Sequence, residues 1–147
     1  MSLDFRFQAV LDYRQRIVED RQRHLADAQR AWRVEMDGLD ALREQRARFA
    51  AQLEEMLQGV LHVDEIEHHY RYLAALDLAI KAQEAVVETA EEAAEAARAD
   101  LEEALKERKT MEKLKEYDRE RLLEAIAQDE AKAVDDLNIA RFGRNGR

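Results

Sequence analysis

The chain of 147 residues contains no proline and only four glycines, and past its first few residues it reads as two long helix-forming runs broken once, around Gly59. Proline removes a backbone donor and clashes inside a helix, and glycine costs about 1 kcal/mol there relative to alanine, so a chain nearly free of both has few places to stop being helical. A single break converts one very long helix into two that can fold back on each other. Apolar residues make up 46% and charged residues 39%, but aromatics only 6%, so the apolar side chains suit a narrow seam better than a thick core. The expected fold is all-α, a long antiparallel two-helix coiled-coil hairpin.

The first helix is expected from about Asp4 to Leu57. Its apolar residues fall on a seven-residue repeat, with Leu11, Val18, Leu25, Trp32, Leu39 and Leu53 at one seam position and Phe7, Ala28, Leu42, Phe49 and Met56 at the other. Arg14, Arg21, Glu35 and Arg46 occupy the same two positions, which predicts a seam weaker than an all-apolar zipper, partly open or shared with a partner. Gly59 offers a left-handed helix end within a turn at about 58–63, and Asp64 with Glu67 has the spacing of a capping box. The second helix is expected from about Asp64 to Ile139. Ile66, Leu73, Leu76, Ile80, Val87, Ala90, Ala94, Ala97 and Leu101 mark its seam, and past Leu105 a shifted stripe continues through Met111, Leu114, Leu122, Ile126, Val134 and Leu137. Alanines in the middle bury little area, so the helices grip loosely there. At about 1.5 Å per residue the helices reach about 80 Å and more than 100 Å, the second overhanging the first. Residues 140–147 read as a flexible tail, and the whole chain 1–147 as a single coiled-coil domain.

Without cysteine there are neither disulfides nor thiolate metal sites. The start of the chain lacks the apolar stretch of a signal peptide, and no segment approaches the roughly 18 apolar residues of a membrane span, which predicts a soluble, cytoplasmic protein. The net charge of −9 is uneven, with acids crowded between Glu84 and Glu103 and Arg141, Arg144 and Arg147 at the end. This balance speaks against nucleic acid as a partner.

The densest cluster of metal-ligand types is His62, Glu65, His68 and His69, with Glu65 and His69 one helical turn apart. A metal site needs three or four convergent ligands, so polar residues beside a bend are the preferred account, and the reading taken is no metal and no cofactor. The sequence has no glycine-rich phosphate loop, nucleophile elbow or HExxH motif, and a two-helix rod lacks the concave pocket that catalysis needs. A non-enzyme is expected.

Two further features have competing readings. In the run from Lys106 to Glu116, Glu112 and Glu116 lie one turn from Arg108 and Lys113, which fits a self-paired solvated face or a docking site for an acidic partner. Near the bend, Tyr72, Leu76, Ala79 and Gln83 share one face of the second helix, while Leu42, Gln45 and Phe49 make a matching face on the first. These faces either zip the hairpin shut or stay partly exposed as a binding surface.

The start of the chain, Phe5-Arg6-Phe7-Gln8-Ala9-Val10-Leu11-Asp12-Tyr13-Arg14, resembles the Phe-x-x-Val-Leu-x-x-Arg pattern of the FliJ family of flagellar export proteins. Lys106-Glu107-Arg108-Lys109-Thr110-Met111-Glu112-Lys113-Leu114-Lys115-Glu116 is similar to that family's C-terminal signature, and Asp129-Glu130 followed by Arg141-Phe142 to its ending. The resemblance runs in order over nearly the whole chain.

It implies an antiparallel two-helix coiled coil like the central stalk of rotary ATPases. Such a stalk enters the ring of the hexameric flagellar export ATPase, promotes its assembly and turnover, and links it to the export gate and the export chaperones. The protein would lie at the inner face of the membrane at the flagellar base, attached through these partners. The family's gate-contact pattern maps onto Leu42, Phe49, Tyr72, Leu76 and Ala79, departing at Gln45 and Gln83, where the pattern has an aromatic and a histidine. The stalk analogy points to Val10, Leu11, Arg14, Leu122 and Ile126 for the ATPase. A stalk of a virulence-type secretion system and a self-associating coiled-coil scaffold are the rival readings.

Overall fold

The computed structural model describes residues 6–145. Two helices, α1 (Gln8–Gln58) and α2 (Val63–Asn145), pack against each other as a helical hairpin, with no strand among the described residues. Each forms because its residues keep apolar side chains on one stripe while almost nothing interrupts the backbone ladder.

Helix ends differ from the sequence expectation in four ways. The expected start of the first helix at Asp4 lies outside the described residues; Arg6 and Phe7 form a turn, and the Leu11 amide donates to the Phe7 carbonyl at 3.0 Å. The turn spans residues 59–62, and Gly59 does not adopt the left-handed conformation, since no described glycine has positive φ. A Cβ at Gly59 would meet nothing within 4 Å, so neither a close approach nor a left-handed backbone requires glycine there. Asp64 is not the N-cap: α2 begins one residue earlier, the Ile66 amide donates to the His62 carbonyl at 3.0 Å, and Asp64 and Glu65 sit in the first turn, where negative charge suits the helix dipole. Finally, α2 does not stop at Ile139 but continues through Gly143 to Asn145, because residues 127–142 hold no helix breaker; Gly146 and Arg147 lie outside the described residues.

The chain's contacts divide into two compact units, one made by residues 20–102 and the other by the described parts of residues 1–19 and 103–147. In the first, the Gln45–Tyr72 and Glu35–Gln83 contacts show the helices running antiparallel. Leu53, Leu73 and Leu76 form its core cluster beside the bend, with Leu42, Phe49, Ala50, Ile66 and Tyr72 packed against it. Leu39 and Val87 are also buried there, while Ala90, Ala94 and Ala97 are half-buried. In the terminal unit, Val18 and Ala104 are buried, and Arg14–Glu107 and Arg6–Asp118 again give antiparallel pairing.

Along α1 every position of the seven-residue stripe from Phe7 to Met56 is buried or half-buried, including Arg14, Arg21, Glu35 and Arg46. Three of these polar members find partners across the hairpin. Arg14 pairs with Glu107, Glu35 accepts the Gln83 amide at 2.7 Å, and Arg46 pairs with Asp77. On α2 the regular stripe runs from Leu73 through Gln83, Leu101, Ala104 and Arg108 to Met111, so the expected register shift past Leu105 comes later. Beyond Leu114 the half-buried residues Asp118, Leu122 and Ile126 recur every fourth position, a stutter that unwinds the supercoil locally. Val134 and Leu137 are not seam residues, being 54% and 64% exposed; every residue from 127 to 144 is exposed.

Candidate partner-binding faces

Beside the bend, stacking of three rings organises the first candidate face. Phe49 lies with its ring centroid 4.2 Å from that of Tyr72 and 5.6 Å from that of His69, tilted by 35° and 40°. Gln45 donates its amide to the Tyr72 hydroxyl, which satisfies the polar end of a half-buried ring. His69 Nδ1 lies 3.1 Å from the Glu65 carbonyl one turn earlier. Among the described residues no three His, Asp or Glu side chains converge as metal ligands.

The five sequence-predicted gate residues therefore have different surroundings. Leu76 is 6% exposed and belongs to the core; Leu42, Phe49 and Tyr72 are half-buried against it; Ala79 is exposed. Gln83, at the position where the family pattern has a histidine, donates to both the carbonyl and the carboxylate of Glu35, at 2.9 and 2.7 Å.

Ala79 belongs to a larger feature that the face-by-face sequence reading missed. Over residues 75–91 the exposed surface of α2 is chemically divided. One side presents Ala75, Leu78, Ala79, Ala82, Ala85, Val86 and Thr89, while the other presents Asp77, Lys81, Glu84, Glu88 and Glu91; Glu92 ends the uncharged stretch. Ion pairs follow the charged side: Arg43 lies 3.7 Å from Glu84, and Arg46 holds Asp77. That second contact raises the pKa of the guanidinium through its hydrogen bond and charge, and its hydrogen bond lowers that of the Asp77 carboxyl. Leu78 at 71% and Val86 at 44% exposure leave the uncharged side open. Its signal in the sequence is the absence of charge at three adjacent heptad positions over residues 75–91, a pattern invisible when only seam positions are tracked.

Farther from the bend, alanine replaces larger seam residues and a groove of about 420 Å³ opens between the helices, lined by Arg21, His24, Ala28, Ala93, Ala96, Ala97 and Asp100. Asp20 lies 3.7 Å from His24 at its edge. Nearby on α1, Trp32 is half-buried and its indole N–H has no hydrogen-bond partner.

The second candidate face belongs to the terminal unit. Arg14 is committed to Glu107, and Arg108 donates to Gln15 at 3.0 Å while its Nε lies 3.4 Å from Glu112. The run beginning at Lys106 is thus only partly a self-paired solvated face, because Glu107 and Arg108 turn toward α1. Of the residues that the stalk analogy selects, Val10 is 40% exposed, whereas Leu11, Arg14, Leu122 and Ile126 are half-buried. The other large exposed apolar residues here are Tyr13, Tyr117, Leu123, Val134, Leu137, Ile139 and Phe142. No helix among the described residues is long and apolar enough to cross a membrane.

The sequence model of one protein family, described as Flagellar FliJ protein, matches residues 3–147. No curated protein and no solved structure matches the chain.

Proposed function

The chain belongs to the FliJ family of flagellar proteins, and from that premise we propose that it is a non-catalytic stalk that enters the hexameric export ATPase ring and links it to the export gate and its chaperones. Membership implies a component of the flagellar export apparatus. The observation that carries the finer reading is the continuation of α2 as helix through Asn145 with every side chain from 127 to 144 exposed. A helical segment that packs on nothing is only marginally stable in water, and its exposed apolar residues are left for a partner to cover.

The ring would be gripped by this segment together with Val10, Leu11, Arg14, Leu122 and Ile126. Of these, Arg14 would contribute chiefly by holding α1 to α2 through Glu107. The gate would meet the uncharged side of α2 around Ala79, with Leu42, Phe49, Tyr72 and Leu76 supporting that surface from beneath. Attachment at the membrane then comes through partners. A stalk acts by differential contact: if it binds one ring state more tightly than another, it shifts the ring toward that state and thereby changes turnover.

The test measures turnover and particle size of the cognate export ATPase with and without the purified chain. Faster turnover together with a ring-sized complex is the expected result. An ATPase that is active alone and unchanged in both respects would remove the stalk reading.

A further inference from the structure

The exposed end of α2 carries a stripe with the spacing of a coiled-coil seam. Leu123, Ala127, Glu130, Val134, Leu137 and Arg141 alternate four and three residues apart, and all six are exposed, the three large apolar members at 48%, 54% and 64%. Two features distinguish this stripe from a face awaiting an arbitrary partner. Its two charged members have opposite sign, and they stand symmetrically about its apolar centre, Glu130 four residues before Val134 and Arg141 four residues after Leu137. Among the described residues neither charge has an ion-pair partner.

We propose that this segment pairs antiparallel with the same segment of a second copy. A two-fold axis passing between Val134 and Leu137 sets Val134 against the partner copy's Leu137, and each Glu130 against the opposite Arg141. Each contact then occurs twice, as an isologous interface requires. The residues flanking the stripe suit the arrangement: Ile126, Ala133 and Ala140 on one side are uncharged, and on the other Glu124 is the one charge beside Ala131 and Asn138. Antiparallel neighbours therefore meet without like-charge repulsion. A parallel pair would bring Glu130 onto Glu130 and Arg141 onto Arg141, which disfavours it. Ile139 and Phe142 lie off the stripe and take no part.

The segment is about 28 Å of helix, and a two-helix seam that short falls below the roughly 1,200 Å² of a stable interface. The pairing is consequently weak and concentration-dependent. It is read from this chain alone and does not require the ring; where the ring also receives the segment, the two occupants exclude one another.

Sedimentation equilibrium of the full chain from about 1 μM to about 1 mM, bracketing weak dissociation constants, tests the idea with three variants. The mass of the unaltered chain is expected to rise from 17.1 kDa toward twice that value. Glu130→Arg alone and Arg141→Glu alone each create like-charge contacts at two equivalent places, and each is expected to weaken association at least about tenfold. The double exchange restores complementarity and should return the dissociation constant to within about threefold of the original. Circular dichroism verifies that these exposed-site variants remain folded. A constant mass at every concentration overturns the proposal and leaves the stripe to a helix of another protein. Association insensitive to either single exchange overturns it as well, placing the contact elsewhere, and failure of the double exchange to rescue overturns the register.

Discussion

Arg46 grips Asp77 from across the hairpin with two donors, Nε bonding one carboxylate oxygen and Nη2 lying 3.4 Å from the other. The forked geometry matters because Arg46 occupies a seam position that a zipper would fill with an apolar residue. Its stem covers the seam while its head reaches a carboxylate at the hairpin's charged edge.

The pair gives stability a defined acid limb. The hydrogen bond from Arg46 lowers the Asp77 carboxyl below its ordinary 3.8, so its contribution is fully present above that value and is lost as pH falls through the depressed one. The pKa of Arg46 is raised by the same hydrogen bond and charge, so it stays protonated throughout. The melting temperature of Asp77→Asn is expected to lie below that of the unaltered chain at neutral pH. The gap should hold down to about pH 5 and close on further acidification. A gap that persists unchanged at the acid end would show that the asparagine acts through packing instead.

Leu76 and Ala79 lie three residues apart in similar sequence surroundings, but one is core and the other surface. Leu76→Ala is expected to destabilise by about 2 kcal/mol, the low end for a core leucine because a two-helix seam relaxes easily. Any loss of gate binding in that variant mixes contact with stability. Ala79→Glu should change stability by less than about 0.5 kcal/mol and still weaken gate binding, because it puts charge on the uncharged side. Equal gate affinity for Ala79→Glu and the unaltered chain in a titration would remove that side from the interface.

The periodic part of this architecture was legible in the sequence. The seven-residue repeat located all the α1 seam positions, even Arg14, Glu35 and Arg46, because the period, not the polarity of each residue, decides which side chains face the second helix. Helix boundaries were less legible. Capping spacing favoured Asp64, but the His62 carbonyl accepts the first bond of α2, and a tail rich in charges and glycine stayed helical to Asn145. Periodicity also assigned Leu76 and Ala79 to one face without distinguishing its buried centre from its exposed rim. That distinction depends on how α1 lies against α2, which no single-helix pattern contains.

Gly38 offers a cleaner test of packing across the seam. A Cβ there would stand 3.3 Å from Gln83 Nε2, close enough to push the amide away from its two bonds to Glu35. Alanine in mid-helix gains about 1 kcal/mol over glycine, so Gly38→Ala should stabilise by less than that, and by the full amount once Gln83→Ala has removed the obstruction. Urea unfolding of the four members of the cycle measures the difference. Equal gains in both backgrounds would mean the amide yields without cost.

Ending the chain after Ile126 separates what holds the hairpin together from what projects beyond it. Every residue from 127 to 144 is exposed, and Ile126 is the last half-buried one among the described residues, so residues 127–144 contribute helix but no buried side chain. The expected outcome is a smaller far-ultraviolet helical signal with a melting midpoint within about 2 °C of the full chain at low protein concentration, the scale of a sub-kcal/mol change in a domain of this size. At high concentration the full chain should melt higher than the truncated one, because association of its last segment adds stability by mass action. A midpoint that falls sharply even in dilute solution would mean that residues 127–144 support the terminal unit from outside its seam.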